Sequence, residues 1–326
     1  MRPEPVREEY RDKEHIVKTV VITGATGAIG RALIKIAVEA GYEVLTVVHR
    51  DSARAGELEK HPHCHVLRLN LDEYDRGIEE LEKQRVSPEN CELFFHLAWA
   101  APFGKDRENL DLQLKNVHAS LAAVRFAKAL GCSTFVGTGS QAEYGRVEGI
   151  LSPETPAFPE TGYGIAKLCA GQLTRLCCEQ LGLRHIWTRV LSVYGPYDRD
   201  QTLISTAVIS MLKKEEAAFS PCEQMWDYLY CEDAARAILL AGEKGACGKI
   251  YIIGSGEVRP LREYIEIIAR ETGYTGEIGF GKRPYNDKQV MFLQADPTGL
   301  KEIGFCPQIS FEEGIRNTIL WRSSQT

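Results

Sequence analysis

The sequence predicts an α/β fold, a doubly wound parallel sheet with a smaller α/β lobe on its C-terminal side. Three observations predict it. Short, continuously apolar, β-branched runs alternate with segments of helical periodicity from Lys18 to Gly195. Such runs are strands buried on both faces, and parallel strands need helical crossovers. The first run leads straight into a glycine turn that opens a helix, Gly24-Ala25-Thr26-Gly27-Ala28-Ile29-Gly30. After Gly195 the alternation loosens, as it does where a second, smaller lobe packs on the carboxyl edge of a first sheet.

Taken in order, residues 1–17 carry dense charge of both signs without an apolar core, and read as a solvated tail rather than a signal peptide. Residues 18–195 form the sheet lobe. Its strands are Lys18 to Thr23, Glu43 to Val48, Val66 to Leu71, Glu92 to Leu97, Ser133 to Gly137 and Arg184 to Val190. Helices cover Ala28 to Ala40, about Leu110 to Leu130, and Gly162 to Gln180. Residues 196–326 form the smaller lobe, with helices at Leu203 to Lys214, Cys231 to Gly242, Leu261 to Thr272 and Phe311 to Trp321, and a strand at Lys249 to Ile253. Some interleaving of the two lobes is expected, and the cleft between them is the natural ligand site.

Composition excludes several classes. With 44% hydrophobic and 26% charged residues among 326, the chain is neither disordered nor a small disulfide scaffold. Lys plus Arg number 39 against 45 Asp plus Glu, a formal charge of −6, so the broad positive field that nucleic acid or an anionic membrane needs is missing. No stretch reaches the roughly 20 apolar residues of a membrane span. Ten cysteines never form a C-x-x-C pair and sit mostly in apolar runs, which reads as reduced thiols in a cytoplasmic protein.

The chemistry-bearing motifs follow the same order. Gly24 permits a tight turn, Gly27 lets the backbone approach a pyrophosphate, and Gly30 lets the helix pack on the sheet; Ala28 and Ile29 bring helix N–H groups to the anion. The end of the second strand reads a dinucleotide's ribose. There His49, Arg50 and Ser52, with Arg54 beyond, could surround a 2′-phosphate, so NADP(H) is preferred and NAD(H) is the alternative, Asp51 being the complication. Tyr163 and Lys167, at i and i+4 on one helix, place an ammonium beside a phenol, which is expected to lower its pKa from about 10. His61-Pro62-His63-Cys64-His65 has metal-ligand residues, but the proline breaks helical spacing and in a strand Cys64 faces away from His63 and His65, so no metal is expected.

Together these motifs resemble an extended short-chain dehydrogenase/reductase of the nucleotide-sugar epimerase, dehydratase and reductase branch, the NAD-dependent epimerase/dehydratase family. The resemblance runs through the glycine turn, His96-Leu97-Ala98, Asn116, Gly139-Ser140-Gln141-Ala142-Glu143-Tyr144-Gly145 and Tyr163 with Lys167. It continues through Arg189 to Pro196, Trp226-Asp227-Tyr228-Leu229-Tyr230 and Arg283-Pro284-Tyr285-Asn286-Asp287. It implies a Rossmann-type sheet, Tyr163 as acid/base, Lys167 on the nicotinamide ribose and Ser140 on the reacting oxygen. It further implies Asn70, Leu71, Leu97, Ala98, Asn116 and Leu191 along the cofactor, and Trp99, Ser140, Ser192, Trp226 and Arg283 on the substrate.

Two departures narrow the reaction. Gln141 and Ala142 stand where related dehydratases carry an Asp-Glu pair, which argues against a 4,6-dehydratase; Trp226 replaces an arginine that holds a diphosphate in many relatives. The expected activity is an NADPH-dependent reductase of a nucleotide-linked 4-keto-6-deoxy sugar, with a 4-epimerase holding NAD as the alternative and a non-catalytic dinucleotide sensor behind both. The resemblance also implies a homodimer paired through the two long helices, and a nucleotide sugar as the ligand.

Overall fold

Thr19, Val20, Val21, Ile22 and Thr23 are all buried, which a strand achieves only when both faces of its sheet are covered. In the computed structural model, which describes residues 17–147, 149–285 and 289–325, this strand is β1. It lies in a seven-stranded parallel sheet with β2 (Glu43–Val48), β3 (Cys64–Arg68), β4 (Cys91–His96), β5 (Thr134–Ser140), β6 (Arg184–Val190) and β7 (Ile250–Ile253), in spatial order β7-β6-β5-β4-β1-β2-β3.

Alternation along β1 divides the core in two. Val20 and Ile22 join Leu33 and Ala37 of α1 (Ala28–Glu39) and Ile238 and Ala241 of a later helix on one face. Val21 joins Phe94, Phe135 and Phe126 on the other. The second face is covered by α2 (Gly77–Gln84), α3 (Leu110–Ala129) and α4 (Gly162–Leu181), the last two packed side by side. The sheet is therefore Rossmann-type. Its order reverses between β1 and β4, so their carboxyl ends open the crevice where ligands of such sheets bind.

The smaller lobe carries α5 (Leu203–Leu212), α6 (Cys231–Lys244), α7 (Leu261–Thr272) and α8 (Phe311–Ser323). Its sheet is built from short strands in the order Arg259–Pro260, Met225–Trp226, Phe292–Ala295 and Ile150–Leu151. Tyr194, Tyr228, Tyr264 and Phe311 interlock beneath it, with ring centroids 4.5 Å apart for Tyr264 and Phe311.

The two lobes interleave, and several element boundaries differ from expectation. Residue 195 is not a clean divide: β7 pairs with β6, α6 packs on α1, and Lys35 and Tyr42 reach Glu232 and Glu243. Conversely Ile150–Leu151 leaves the first segment to join the smaller lobe's sheet. The third strand ends at Arg68 rather than Leu71, because Asn70 and Glu73 form a capping box that starts a 3₁₀ turn at Leu71. The fifth runs on to Ser140, three residues past Gly137. The charged tail lies outside the described residues up to position 16, as do Asn286 and Asp287 of the last motif. Among the described residues no helix is long and apolar enough to cross a membrane.

Candidate active site

The glycine turn is shaped from both sides. Gly24 has φ +72°, and a Cβ there would lie 2.8 Å from the Ala98 backbone nitrogen, so β1 and β4 meet backbone to backbone at the crevice floor. Leu97 N–H donates to Thr23 O at 3.3 Å and Ala98 N–H to Thr23 Oγ1 at 3.2 Å, which seals this floor. A Cβ on Gly30 would strike the Gly24 carbonyl, whereas one on Gly27 would meet nothing nearer than that oxygen at 3.7 Å. The space before Gly27 is thus open. Gly27 caps α1 without a side-chain hydrogen bond, so no side chain claims the first N–H groups, at Ala28 and Ile29. Glycine spacing, open room and helix N-terminus together fit a dinucleotide pyrophosphate.

The end of β2 corrects one expectation. Arg50 donates to Glu73 at 2.8 and 3.0 Å and to Glu80 at 2.7 Å, so its guanidinium is committed to two carboxylates instead of a ribose phosphate. Asn70 is committed too, accepting from the Arg50 backbone at 3.1 Å, and Leu71 follows it, half-buried, as the first residue of the 3₁₀ turn. His49 is exposed. Arg54 reaches the Thr26 carbonyl at 3.4 Å and the Tyr197 carbonyl at 3.2 Å, bridging the glycine turn to the smaller lobe.

Beyond β4, Asn116 grips Ala100 from inside α3, accepting its N–H at 2.8 Å and donating to its carbonyl at 3.0 Å. Trp99 donates to Gln113 at 2.9 Å and stands edge-on to Tyr163, with centroids 6.0 Å apart. Asn116 and Trp99 therefore lock the loop that faces the crevice. A buried His96 below them, bonded to Thr23 at 2.9 Å and Ser120 at 3.2 Å, is pushed down to about 3 by burial and stays neutral.

Ser140, Tyr163 and Lys167 come together as expected, but their electrostatics do not follow the expected form. Ser140 Oγ accepts from Ala142 N–H at 3.2 Å, and its hydroxyl acts to lower the Tyr163 pKa. Among the described residues no hydrogen bond joins Lys167 Nζ to the Tyr163 phenol. The ammonium donates to Thr138 O at 2.6 Å, lies 3.8 Å over the Trp99 ring and stands 5.9 Å from the Tyr163 centroid. Burial pushes Lys167 down to about 7 against the attraction of Glu143. Burial also raises Tyr163 above the usual phenol value, opposed by the Ser140 hydrogen bond and by Arg107. The expected lowering by Lys167 is thus replaced by a net rise, because the ring is buried and the ammonium is turned to the Thr138 carbonyl.

Two participants were not anticipated. Glu143, fully buried, accepts from Ser140 N–H at 2.8 Å, Trp187 Nε1 at 3.1 Å and Arg189 Nε at 2.7 Å, so it fixes the strand end that presents Ser140. Arg107 stacks its guanidinium 4.7 Å over the Tyr163 ring. In the sequence both look ordinary, Arg107 as part of a charged loop and Glu143 as a turn residue. The G-S-Q-A-E-Y-G segment was the one available signal for Glu143.

On the substrate side the structure joins Ser192 and Trp226 by an indole-to-hydroxyl hydrogen bond of 2.8 Å. Leu191 packs in the core with Tyr144, Ile252 and Leu293. Arg283 is exposed, its backbone donating to Phe219 O at 3.0 Å. Next to Trp226, Asp227 is buried and accepts from Ser255, Gly256 and Ala295, holding three chain segments at one carboxylate. A cavity beside the catalytic pair is lined by Arg107, Gln141, Ala142, Thr161, Leu151 and Phe292. The histidine run is a salt-bridged edge, Glu43 lying 2.8 Å from His63 and 3.5 Å from His65, and no metal-binding group occurs among the described residues.

The chain is similar to known proteins along most of its length. Over 93% of its length the chain is 24% identical to CDP-abequose synthase of Salmonella muenchen, covering 97% of that protein. Over 92% it is 25% identical to dTDP-4-dehydro-6-deoxyglucose reductase of Escherichia coli, covering 96% of it. The crystal structure of UDP-glucose 4-epimerase with UDP-glucose from Thermotoga maritima matches with a TM-score of 0.82 at 25% identity, over 94% of this chain and 99% of that one. Residues 20–254 match the NAD dependent epimerase/dehydratase family model, and with the glycine turn and the Ser140–Tyr163–Lys167 cluster in place, the chain belongs to that family and is an enzyme of the extended short-chain dehydrogenase/reductase type.

Proposed function

We propose that the protein transfers a hydride between a nicotinamide dinucleotide and a nucleotide-linked sugar, acting as an NADPH-dependent reductase of a 4-keto-6-deoxy sugar. The observation that carries this reading is the Ser140–Tyr163 pair with Gln141 and Ala142 beside it, a single proton donor without a neighbouring acid/base couple. Nearly full-length likeness to a protein named as a dTDP-4-dehydro-6-deoxyglucose reductase supports it.

The chain's residues divide the work. Gly24, Gly27 and the first N–H groups of α1 would hold the pyrophosphate, and Lys167 the nicotinamide ribose; the bound group supplies hydride chemistry at its ring C4. Tyr163 gives its proton to the carbonyl oxygen as negative charge develops there. The Ser140 hydroxyl, oriented by Ala142 N–H, donates to the same oxygen. Both donors act on charge that exists only in the transition state, which is where stabilisation raises rate. NADP(H) preference rests on His49, Ser52 and Arg54, since Arg50 is held by Glu73 and Glu80. All ten cysteines are thiols, in keeping with a cytoplasmic place. A homodimer through α3 and α4 completes the reading, supported by exposed leucines on both helices.

A 4-epimerase is the second reading, favoured by the match in architecture to the Thermotoga maritima enzyme. One experiment separates the two. Purified protein is incubated with nucleotide-linked 4-keto-6-deoxy sugars and NADPH or NADH, following nicotinamide absorbance and product mass. Stoichiometric oxidation, faster with NADPH and absent in Tyr163→Phe while the dinucleotide still binds, is expected. Interconversion of two sugar nucleotides without net cofactor change overturns the reductase in favour of the epimerase.

A further inference from the structure

We propose that Arg107 is the positive charge that tunes Tyr163, a positioning residue that holds the phenolate form within reach during proton transfer. This deepens the reading above and rests on Tyr163 being the acid/base. Arg107 comes from a 3₁₀ turn, Lys105–Glu108, in the loop after β4. Its guanidinium lies 4.7 Å over the Tyr163 ring. Its Nε is buried without a hydrogen-bond partner. A buried guanidinium nitrogen left unpaired is costly, and the electron-rich face of an aromatic ring is the compensation here.

The turn is fastened where Tyr163 begins its helix. Glu108 accepts the Gly162 N–H at 3.0 Å, Gln113 donates to Asp106 O at 3.0 Å, and Asn109 caps α3 by accepting from Leu112 at 3.2 Å. Gly162 has no room for a side chain, since its Cβ would lie 3.0 Å from both the Arg107 carbonyl and Leu110. Catalytic helix and arginine turn are therefore built against each other. Lys167, the other cation on this helix face, is turned to Thr138 O and farther from the ring. The Arg107 charge opposes the rise that burial imposes on Tyr163.

An opposite charge at 4–6 Å moves a pKa by about one unit or more. The Tyr163 titration is read in the NAD-loaded protein from tyrosinate absorbance, as the difference between each protein and its Tyr163→Phe counterpart. Arg107→Gln is expected to raise the midpoint by about one unit, and Arg107→Lys, which keeps the charge, to return most of it, with NAD affinity unchanged within about twofold. The basic limb of the turnover profile moves with it. An unchanged midpoint in Arg107→Gln, or an equal rise in Arg107→Gln and Arg107→Lys, overturns the proposal. The titration needs no substrate, so absence of turnover on every sugar tested would count against the proposed function and leave this result standing.

Discussion

Lys167 is 4% exposed and touches no carboxylate among the described residues, so its charge is held by the Thr138 carbonyl and the Trp99 ring. Burial depresses its folded-state pKa to about 7, below the unfolded value of about 10.4. Between those values the unfolded chain binds more protons, so the contribution of Lys167 to stability rises with pH across that window. Below pH 7 the ammonium is charged in both states and the full desolvation cost is present. Lys167→Met should therefore raise thermal stability most below pH 7, by a net amount on the order of 1 kcal/mol after loss of the Thr138 hydrogen bond, and the gain should fade toward pH 10. Turnover should fall at least about 100-fold in the same variant, the usual trade of a functional buried charge for stability. Melting curves across pH check this; a variant less stable than the parent at every pH would contradict it.

The 3₁₀ turn Gln141–Glu143 ties β5 to β6 through one buried carboxylate. Glu143→Gln keeps the shape but leaves Arg189, 3% exposed, without its counter-charge. A loss of about 3–5 kcal/mol in denaturant unfolding is expected, with activity falling because the Ser140 N–H loses its strongest acceptor. The element also marks how far the sequence could be read. Apolar runs announced β1, β2, β4 and β6 almost to the residue, because strands buried on both faces have no other pattern open to them. The glycine turn was legible because local geometry demands glycine there, whereas Tyr163 with Lys167 stood out only through their order after that turn and Ser140. What could not be read was long-range pairing. Arg50 looked available until Glu73 and Glu80, 23 and 30 residues on, closed over it, and Arg107 looked like a solvated loop charge until the fold laid it on Tyr163. Nor does periodicity say that Ile250–Ile253 returns to the first sheet, since a short apolar strand suits either lobe.

At the scale of the whole molecule, the two long helices leave an apolar face uncovered. Leu110 and Leu114 of α3 are 63% and 54% exposed, and Ile165, Leu173 and Leu176 of α4 are 53%, 38% and 44% exposed. Positions 110 and 114 share one side of α3, and 165, 173 and 176 fall close to one side of α4 at intervals of eight and three. The helices pack beside each other, with Leu110 near Gly162 at the start of α4, so both exposed sets lie on adjoining helices. Scattered apolar residues on a surface need no explanation, but a contiguous patch on neighbouring helices marks an association site. A second copy would cover it by symmetry, since a two-fold contact presents the same face from both sides and four helices would then pack as a bundle. The same helices carry Asn116, Tyr163 and Lys167 on their buried sides, so association would also stiffen the elements that hold them. The expected outcome is a dimer in sedimentation equilibrium at micromolar concentration. Leu114→Glu combined with Leu176→Glu should halve the mass, lower the thermal midpoint and reduce turnover, while circular dichroism retains the parent's helix content. A parent chain that sediments as a monomer, or a double variant that remains a dimer, would place the contact elsewhere.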